Sequence, residues 1–176
     1  MGDFIYFNNI FSDNEIDELI SYWSTIDVKH HSDRNIWDTS SEFKTKIDSQ
    51  IRNVEIVGIP IDKIPFLTNR IKESFSRIIN DFGLEGPHYF TKYPLGGFHS
   101  SHIDSRIING VSRDKVITIQ LSDEDSYEGG DLVINGTKAP RTKGSIILYN
   151  GNVLHEVTPI TKGERFAITE CAGERK

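Results

Sequence analysis

Residues 128–171 read EGGDLVINGTKAPRTKGSIILYNGNVLHEVTPITKGERFAITEC, and this stretch decides the fold. Four β-rich runs (131–135, 145–149, 153–158 and 164–171) are separated by turn chemistry at Gly129-Gly130, Asn135-Gly136 and Lys143-Gly144. Short strands at regular spacing, bounded by glycine-containing turns, predict an antiparallel sandwich or a barrel-like jelly roll. Asn135-Gly136-Thr137 also fits a glycosylation sequon, but a hairpin turn is the simpler reading of Asn-Gly between two apolar runs. Working upstream, the runs 88–93, 97–104 and 115–121 have the same texture, with Gly96-Gly97 as a further turn.

The texture changes near residue 84. Before it, two segments carry the helical period. The first opens at Ser12 with Glu15 three residues on, a capping-box pattern, and then places Ile16, Leu19, Ile20 and Trp23 on one stripe. The second has Pro65 in its first turn, followed by Leu67, Ile71, Phe75, Ile78, Ile79 and Phe82, and is expected to stop at Gly83. Both helices have a polar opposite face, so each should lie against the β-core. The expected organisation is one domain over 1–176, α+β but mainly β, with helical support and a polar loop in 1–85 and a jelly-roll core in 86–176. The polar stretch His30 to Lys46, with Trp37 and Phe43, is read as a flap over the site.

Composition excludes several classes of function. Of 176 residues, 20 are Lys or Arg and 26 Asp or Glu, a net charge of −6 that disfavours a general nucleic-acid binder. No apolar run approaches the roughly 20 residues of a membrane helix. The N-terminus has no basic, apolar signal pattern, so a cytoplasmic protein is expected. The lone Cys171 rules out an intrachain disulfide and a multi-thiolate zinc site. No P-loop, dinucleotide-binding glycine fingerprint or nucleophile elbow is present.

Histidines are the natural place to look for chemistry. His102-Ile103-Asp104 falls at a strand end, where residues i and i+2 point to one face, so an imidazole and a carboxylate can reach one metal ion. His155, in another strand-like segment, offers a third ligand. Two His and one carboxylate on one face leave three octahedral positions open, as in non-haem Fe(II) sites. The dipeptide alone is weak, since 6 His and 14 Asp supply about half a His-x-Asp pair by chance. A second pair, His31-Ser32-Asp33, sits in the polar loop and reads as solvated surface. His99 lies on the opposite face from His102 by strand parity, beside the site or exposed; a register slip of one would exchange the two. His30, His88 and Arg106 read as ordinary structural or surface residues.

The stretch Tyr93-Pro94-Leu95-Gly96-Gly97-Phe98-His99-Ser100-Ser101-His102-Ile103-Asp104 resembles the metal-site entry of prolyl 4-hydroxylase-like Fe(II)/2-oxoglutarate dioxygenases. Glu128-Gly129-Gly130-Asp131-Leu132, Lys143 to Tyr149, Leu154-His155-Glu156-Val157 and Gly163 to Thr169 resemble four further motifs of that family, in the same order. The resemblance implies a double-stranded β-helix with Fe(II) on His102, Asp104 and His155. It implies 2-oxoglutarate as co-substrate, with dioxygen and, as an accessory, ascorbate. Arg165 would receive the distal carboxylate, and Tyr93, Gln120 and Thr169 would add polar contacts. At Gln120 the best-known animal members carry Tyr; at Cys171 relatives often carry Trp. The implied reaction hydroxylates a C–H bond, with a prolyl residue of a peptide or protein as the leading substrate and a small molecule as the other class. Two other functions compete: a non-catalytic binding module, which predicts a broken triad, and a zinc site on the same ligands, which would need no Arg165.

Overall fold

Ser12 starts the first helix by the reciprocal bonds its sequence calls for. Its hydroxyl accepts the Glu15 N–H at 3.3 Å, and the Glu15 carboxylate accepts the Ser12 N–H at 2.9 Å. The resulting α1 (Asp13–Ser24) buries Ile16, Leu19 and Trp23, and α2 (Pro65–Phe75) buries Leu67, Ile71 and Phe75. The computed structural model describes residues 3–26, 30–31, 51–76, 78, 82–84, 87–104, 107–108, 111–112 and 114–174. Within them, α2 ends earlier than its apolar stripe suggests. It is capped at Ser76, Ile78 is 47% exposed, and Phe82-Gly83-Leu84 is a strand. A short apolar run cannot be assigned to helix or strand by periodicity alone, and here pairing with the last strand decides it.

In chain order the strands are β1 (Phe4–Phe7), β2 (His30–His31), β3 (Arg52–Asn53), β4 (Glu55–Ile59), β5 (Phe82–Leu84), β6 (His88–Tyr93), β7 (Phe98–His102), β8 (Ile107–Ile108), β9 (Val111–Ser112), β10 (Lys115–Gln120), β11 (Glu128–Gly129), β12 (Leu132–Ile134), β13 (Thr137–Lys138), β14 (Ile146–Asn150), β15 (His155–Val157), β16 (Ile160–Lys162) and β17 (Arg165–Glu174). An eight-stranded antiparallel sheet runs β1-β14-β10-β17-β6-β4-β2, with β5 also on β17. A five-stranded sheet runs β13-β12-β15-β7-β3, and β11-β16 and β8-β9 form small ribbons. This is the mainly-β jelly-roll architecture expected, with the two helices against the larger sheet. The segment before residue 84 also supplies strands, which the helical reading omitted: β1, β2 and β4 extend the larger sheet and β3 edges the smaller one. The Asn135-Gly136 hairpin forms as read, with φ of 49° and 80° at its two central residues.

Strand parity separates two cores. On β10, Ile117 and Ile119 face the helices, in a cluster with Leu19, Leu67, Ile71 and Phe75, while Val116 faces the interior between the sheets. Leu132, Ile134 and Val157 of the smaller sheet meet Tyr89, Ile147 and Tyr149 of the larger one in that interior. On β17, Ile168 and Ala172 point to the helices; Arg165, Thr169 and Cys171 point inward and line the cavity there.

His88 is a structural residue, as expected, and carries an ionisable pair into the core. It lies fully buried on the helix side, with Nε2 3.1 Å from Thr68 Oγ1 of α2 and Nδ1 hydrogen-bonded to Glu170, also fully buried. Because the Thr68 hydroxyl donates to the Ile61 carbonyl at 2.8 Å, it accepts from His88 Nε2–H, and a single proton serves the His88–Glu170 bond. Burial pushes the Glu170 carboxyl up to about 7, against the opposing pull of His88. A carboxyl whose folded pKa lies above its unfolded one contributes stability below the unfolded value near 4.5 and loses it as pH rises towards 7. The wild type is therefore expected to lose on the order of 3 kcal/mol relative to Glu170→Gln between pH 4.5 and pH 8. Urea unfolding at several pH values checks this, and parallel curves for the two proteins would refute it.

Candidate metal centre and buried arginine

His102 ends β7, His155 opens β15, and their Cα atoms are direct partners across the smaller sheet. Asp104 follows two residues later, its backbone N–H tied to the Gly151 carbonyl at 2.7 Å. His102 Nδ1–H donates to the Ser100 carbonyl at 2.7 Å, and His155 Nδ1–H to the Val153 carbonyl at 2.9 Å. Each bond fixes the tautomer and leaves the Nε2 lone pair free. Both Nε2 atoms point at Asp104, 3.5 Å from Oδ1 and 3.5 Å from Oδ2 respectively. One ligand atom from each residue lies within 4.8 Å of the other two.

The electrostatics favour a cation. Burial, followed by the charge of His155, lowers the His102 pKa and keeps its imidazole neutral. Burial is also the largest influence on Asp104 and raises its pKa. Hydrogen bonding to His155 and the His102 and His155 charges outweigh it, and the carboxyl stays below its ordinary range. Neutral imidazole and an ionised carboxylate are the protonation states a divalent metal requires.

His99 departs from the parity reading. Its ring stacks on His102 at 3.8 Å between centroids, and it lines the same cavity. The cause is a β-bulge: His155 pairs with His102 while Val157 pairs with His99, so three steps on β7 oppose two on β15. Burial, then the His102 and Arg52 charges, push the His99 pKa down to about 3.

The cavity, about 100 Å³, lies between the sheets. His102 and His155 line it from the smaller sheet, with Asp104 just past the end of β7; Tyr93, Arg165 and Thr169 line it from the larger. Arg165 is 1% exposed, the largest fully buried side chain among the described residues. Its guanidinium carbon lies 5.1 Å from the centre of the Tyr93 ring. Nε and Nη2 donate to Gln120 Oε1 at 3.2 and 2.9 Å, whereas Nη1 is buried with no hydrogen-bond partner among the described residues. No carboxylate among the described residues pairs with it. Burial raises the Tyr93 pKa, against the Arg165 charge, so the phenol keeps its proton.

Gln120 is the one expected contact residue that does not line the cavity. Thr91, Thr118 and Tyr149 do line it and were not singled out beforehand, although the alternation in 88–93, 115–121 and 145–149 places them inward. Arg52 and Val54 also line it, from the segment read only as helical support. Of the expected flap, His30 and His31 form an edge strand on β4; residues 32–46, with Trp37, lie outside the described residues, as does Arg106.

A double-stranded β-helix here presents two His and one carboxylate, a donor set that suits a non-haem divalent metal, opposite a buried arginine. Residues 88–171 match the model of the 2OG-Fe(II) oxygenase superfamily, and the β-core is similar to that family. A PKHD-type hydroxylase of Idiomarina loihiensis is 37% identical over 81 residues, 44% of this chain and 37% of that protein. One from Bordetella pertussis is 38% identical over 91 residues, 46% of this chain and 40% of that protein. The chain thus spans about two-fifths of the length of these curated relatives. By fold it is similar to a Pseudomonas putida prolyl-4-hydroxylase, with a TM-score of 0.72 at 18% identity over 99% of this chain and 94% of that one. It is also similar to a viral collagen prolyl hydroxylase from Paramecium bursaria Chlorella virus-1 in complex with 2OG, with a TM-score of 0.67 at 19% identity over 99% and 97%. The core is thus similar in sequence to 2OG-Fe(II) oxygenases and in fold to prolyl hydroxylases.

Proposed function

We propose that the protein is an Fe(II)- and 2-oxoglutarate-dependent dioxygenase that hydroxylates a C–H bond, with a prolyl residue of a peptide or protein as substrate. One observation carries this reading: three metal-ligating side chains and a buried guanidinium without a counter-charge face a single cavity from opposite sheets. Nε2 of His102, Nε2 of His155 and an Asp104 oxygen would hold Fe(II). When bound, the metal and 2-oxoglutarate supply the oxygen chemistry, one atom of dioxygen entering the substrate and the other succinate, as CO2 leaves.

The work of the chain is to bind, orient and exclude water. The Ser100 and Val153 carbonyls hold both imidazoles in the ligating tautomer. The free Nη1 of Arg165 fits a carboxylate, the anion its planar fork is built to receive. Tyr93, kept protonated, and Thr169 offer hydroxyls beside it. Val54, Ile56, Leu132 and Val157 give the cavity an apolar wall. The prolyl substrate is carried over from the relatives: the structural neighbours include a Trichoplax adhaerens prolyl hydroxylase in complex with a hypoxia inducible factor peptide fragment. Ascorbate is proposed as an accessory reductant, and the cytoplasm as the location. Among the described residues no helix is long and apolar enough to cross a membrane.

Anaerobic titration of the apoprotein with Fe(II), and then with 2-oxoglutarate, tests the reading. A visible metal-to-ligand charge-transfer band is expected on the second addition, followed in air by succinate release stimulated by proline-containing peptides. Tight metal binding with no band and no 2-oxoglutarate affinity would overturn it in favour of a different metal site.

A further inference from the structure

We propose that Gln120 is a positioning residue that orients Arg165 without neutralising it, reserving the guanidinium charge for the distal carboxylate of a 2-oxo diacid. The inference rests on the dioxygenase reading and deepens it. Gln120 is itself buried, at 1% exposure, and one atom, Oε1, accepts from both Nε and Nη2 of Arg165. Those two donors form one edge of the guanidinium fork, the edge a carboxylate would take in a bidentate ion pair. An uncharged amide oxygen occupies it instead. Nη1 is left buried and without a partner among the described residues. Arg165 lines the cavity and Gln120 does not, so Gln120 acts from behind.

The backbone makes Gln120 a firm support. Its N–H donates to the Ser145 carbonyl at 3.1 Å and its carbonyl accepts from the Gly144 N–H at 2.8 Å, while its Cα is paired with Ala167 on β17. Residue 120 can therefore aim the side chain two residues away on the neighbouring strand. A buried charge held by a neutral acceptor is unfavourable in the empty protein and is compensated when an anion arrives. A carboxylate at position 120 would compensate it permanently and repel the ligand. A hydrocarbon would neither neutralise the guanidinium nor hold it. The amide alone does the second without the first.

The test uses the full chain with Mn(II) as an O2-insensitive metal. Calorimetry measures binding of 2-oxoglutarate and of 2-oxobutyrate, which lacks the distal carboxylate. Gln120→Glu is expected to weaken 2-oxoglutarate at least about 100-fold while raising the melting temperature of the ligand-free protein. Gln120→Leu is expected to weaken it about tenfold. Mn(II) and 2-oxobutyrate should bind all three proteins within about threefold, because neither uses Arg165. A role in packing alone would move stability and affinity together, not in opposite directions. If the wild type binds 2-oxoglutarate and Gln120→Glu binds it as tightly, this inference fails and the dioxygenase reading stands. If the wild type binds Mn(II) but not 2-oxoglutarate, the dioxygenase reading fails and takes the inference with it.

Discussion

With His155 replaced by Ala, metal affinity is expected to fall by well over the roughly 100-fold that loss of an outer hydrogen-bond partner costs, and turnover to disappear. The reason is geometric. His155 supplies one of three ligand atoms gathered within 4.8 Å, and no other described side chain stands ready to replace it. His99 is the nearest imidazole, but it stacks on the face of His102 instead of joining the set. His99→Ala should accordingly keep metal affinity within about threefold, and the contrast separates ligation from general crowding. The fold should survive the loss of His155, because β15 is held between β12 and β7 by backbone pairing that Ala retains. Removing the ring also relieves His102 of a neighbour that lowers its pKa. Calorimetry with Mn(II) and circular dichroism check both halves. Undiminished metal binding would remove His155 from the site.

Arg165→Met is expected to weaken 2-oxoglutarate by two to three orders of magnitude and to leave metal affinity unchanged. Deleting one partner of a buried, hydrogen-bonded charge pair costs about 2–5 kcal/mol, and each 1.4 kcal/mol is tenfold in affinity. Met fills much of the same space and carries no charge, so the loss reports the guanidinium and not a void. The ligand-free protein has little to lose. Relief of a buried charge with only a neutral acceptor offsets the orphaning of Gln120 Oε1, and the melting temperature should move by a few degrees at most. Equal 2-oxoglutarate affinity in the two proteins would mean that the anion is held elsewhere.

Much of the β-core was legible because local signals and parity agree. The runs 88–93 and 115–121 coincide with β6 and β10 to within one residue, and Gly129, Gly136 and Gly144 turn the chain with positive φ where the glycines were read as turns. His102, Asp104 and His155 were legible as a candidate set because strand-end spacing aims them at one ion, while Arg165 was found only through the family resemblance. Three things were not legible. The bulge on β7 puts His99 beside His102, and no composition signal marks an inserted residue in a strand. The ends of α2 and β5 depend on pairing with Ala172–Glu174, some ninety residues away. The role of Gln120 depends on which atom it meets across the strand pair, and alternation predicts a side chain's face but not its partner.

The two ends of the site belong to different sheets. His102 and His155 are fixed to the five-stranded sheet and Arg165 to the eight-stranded one, so the gap between them is set by the side chains packed in between, Ile134 and Ile147 among them. Facing sheets stand about 10 Å apart, and that separation is stiff because the interior is close-packed. The molecule therefore works as a caliper whose jaws are two sheets and whose stop is a hydrophobic core. On the proposed function, the chain length of the diacid it would accept is set by the bulk of residues outside the cavity wall.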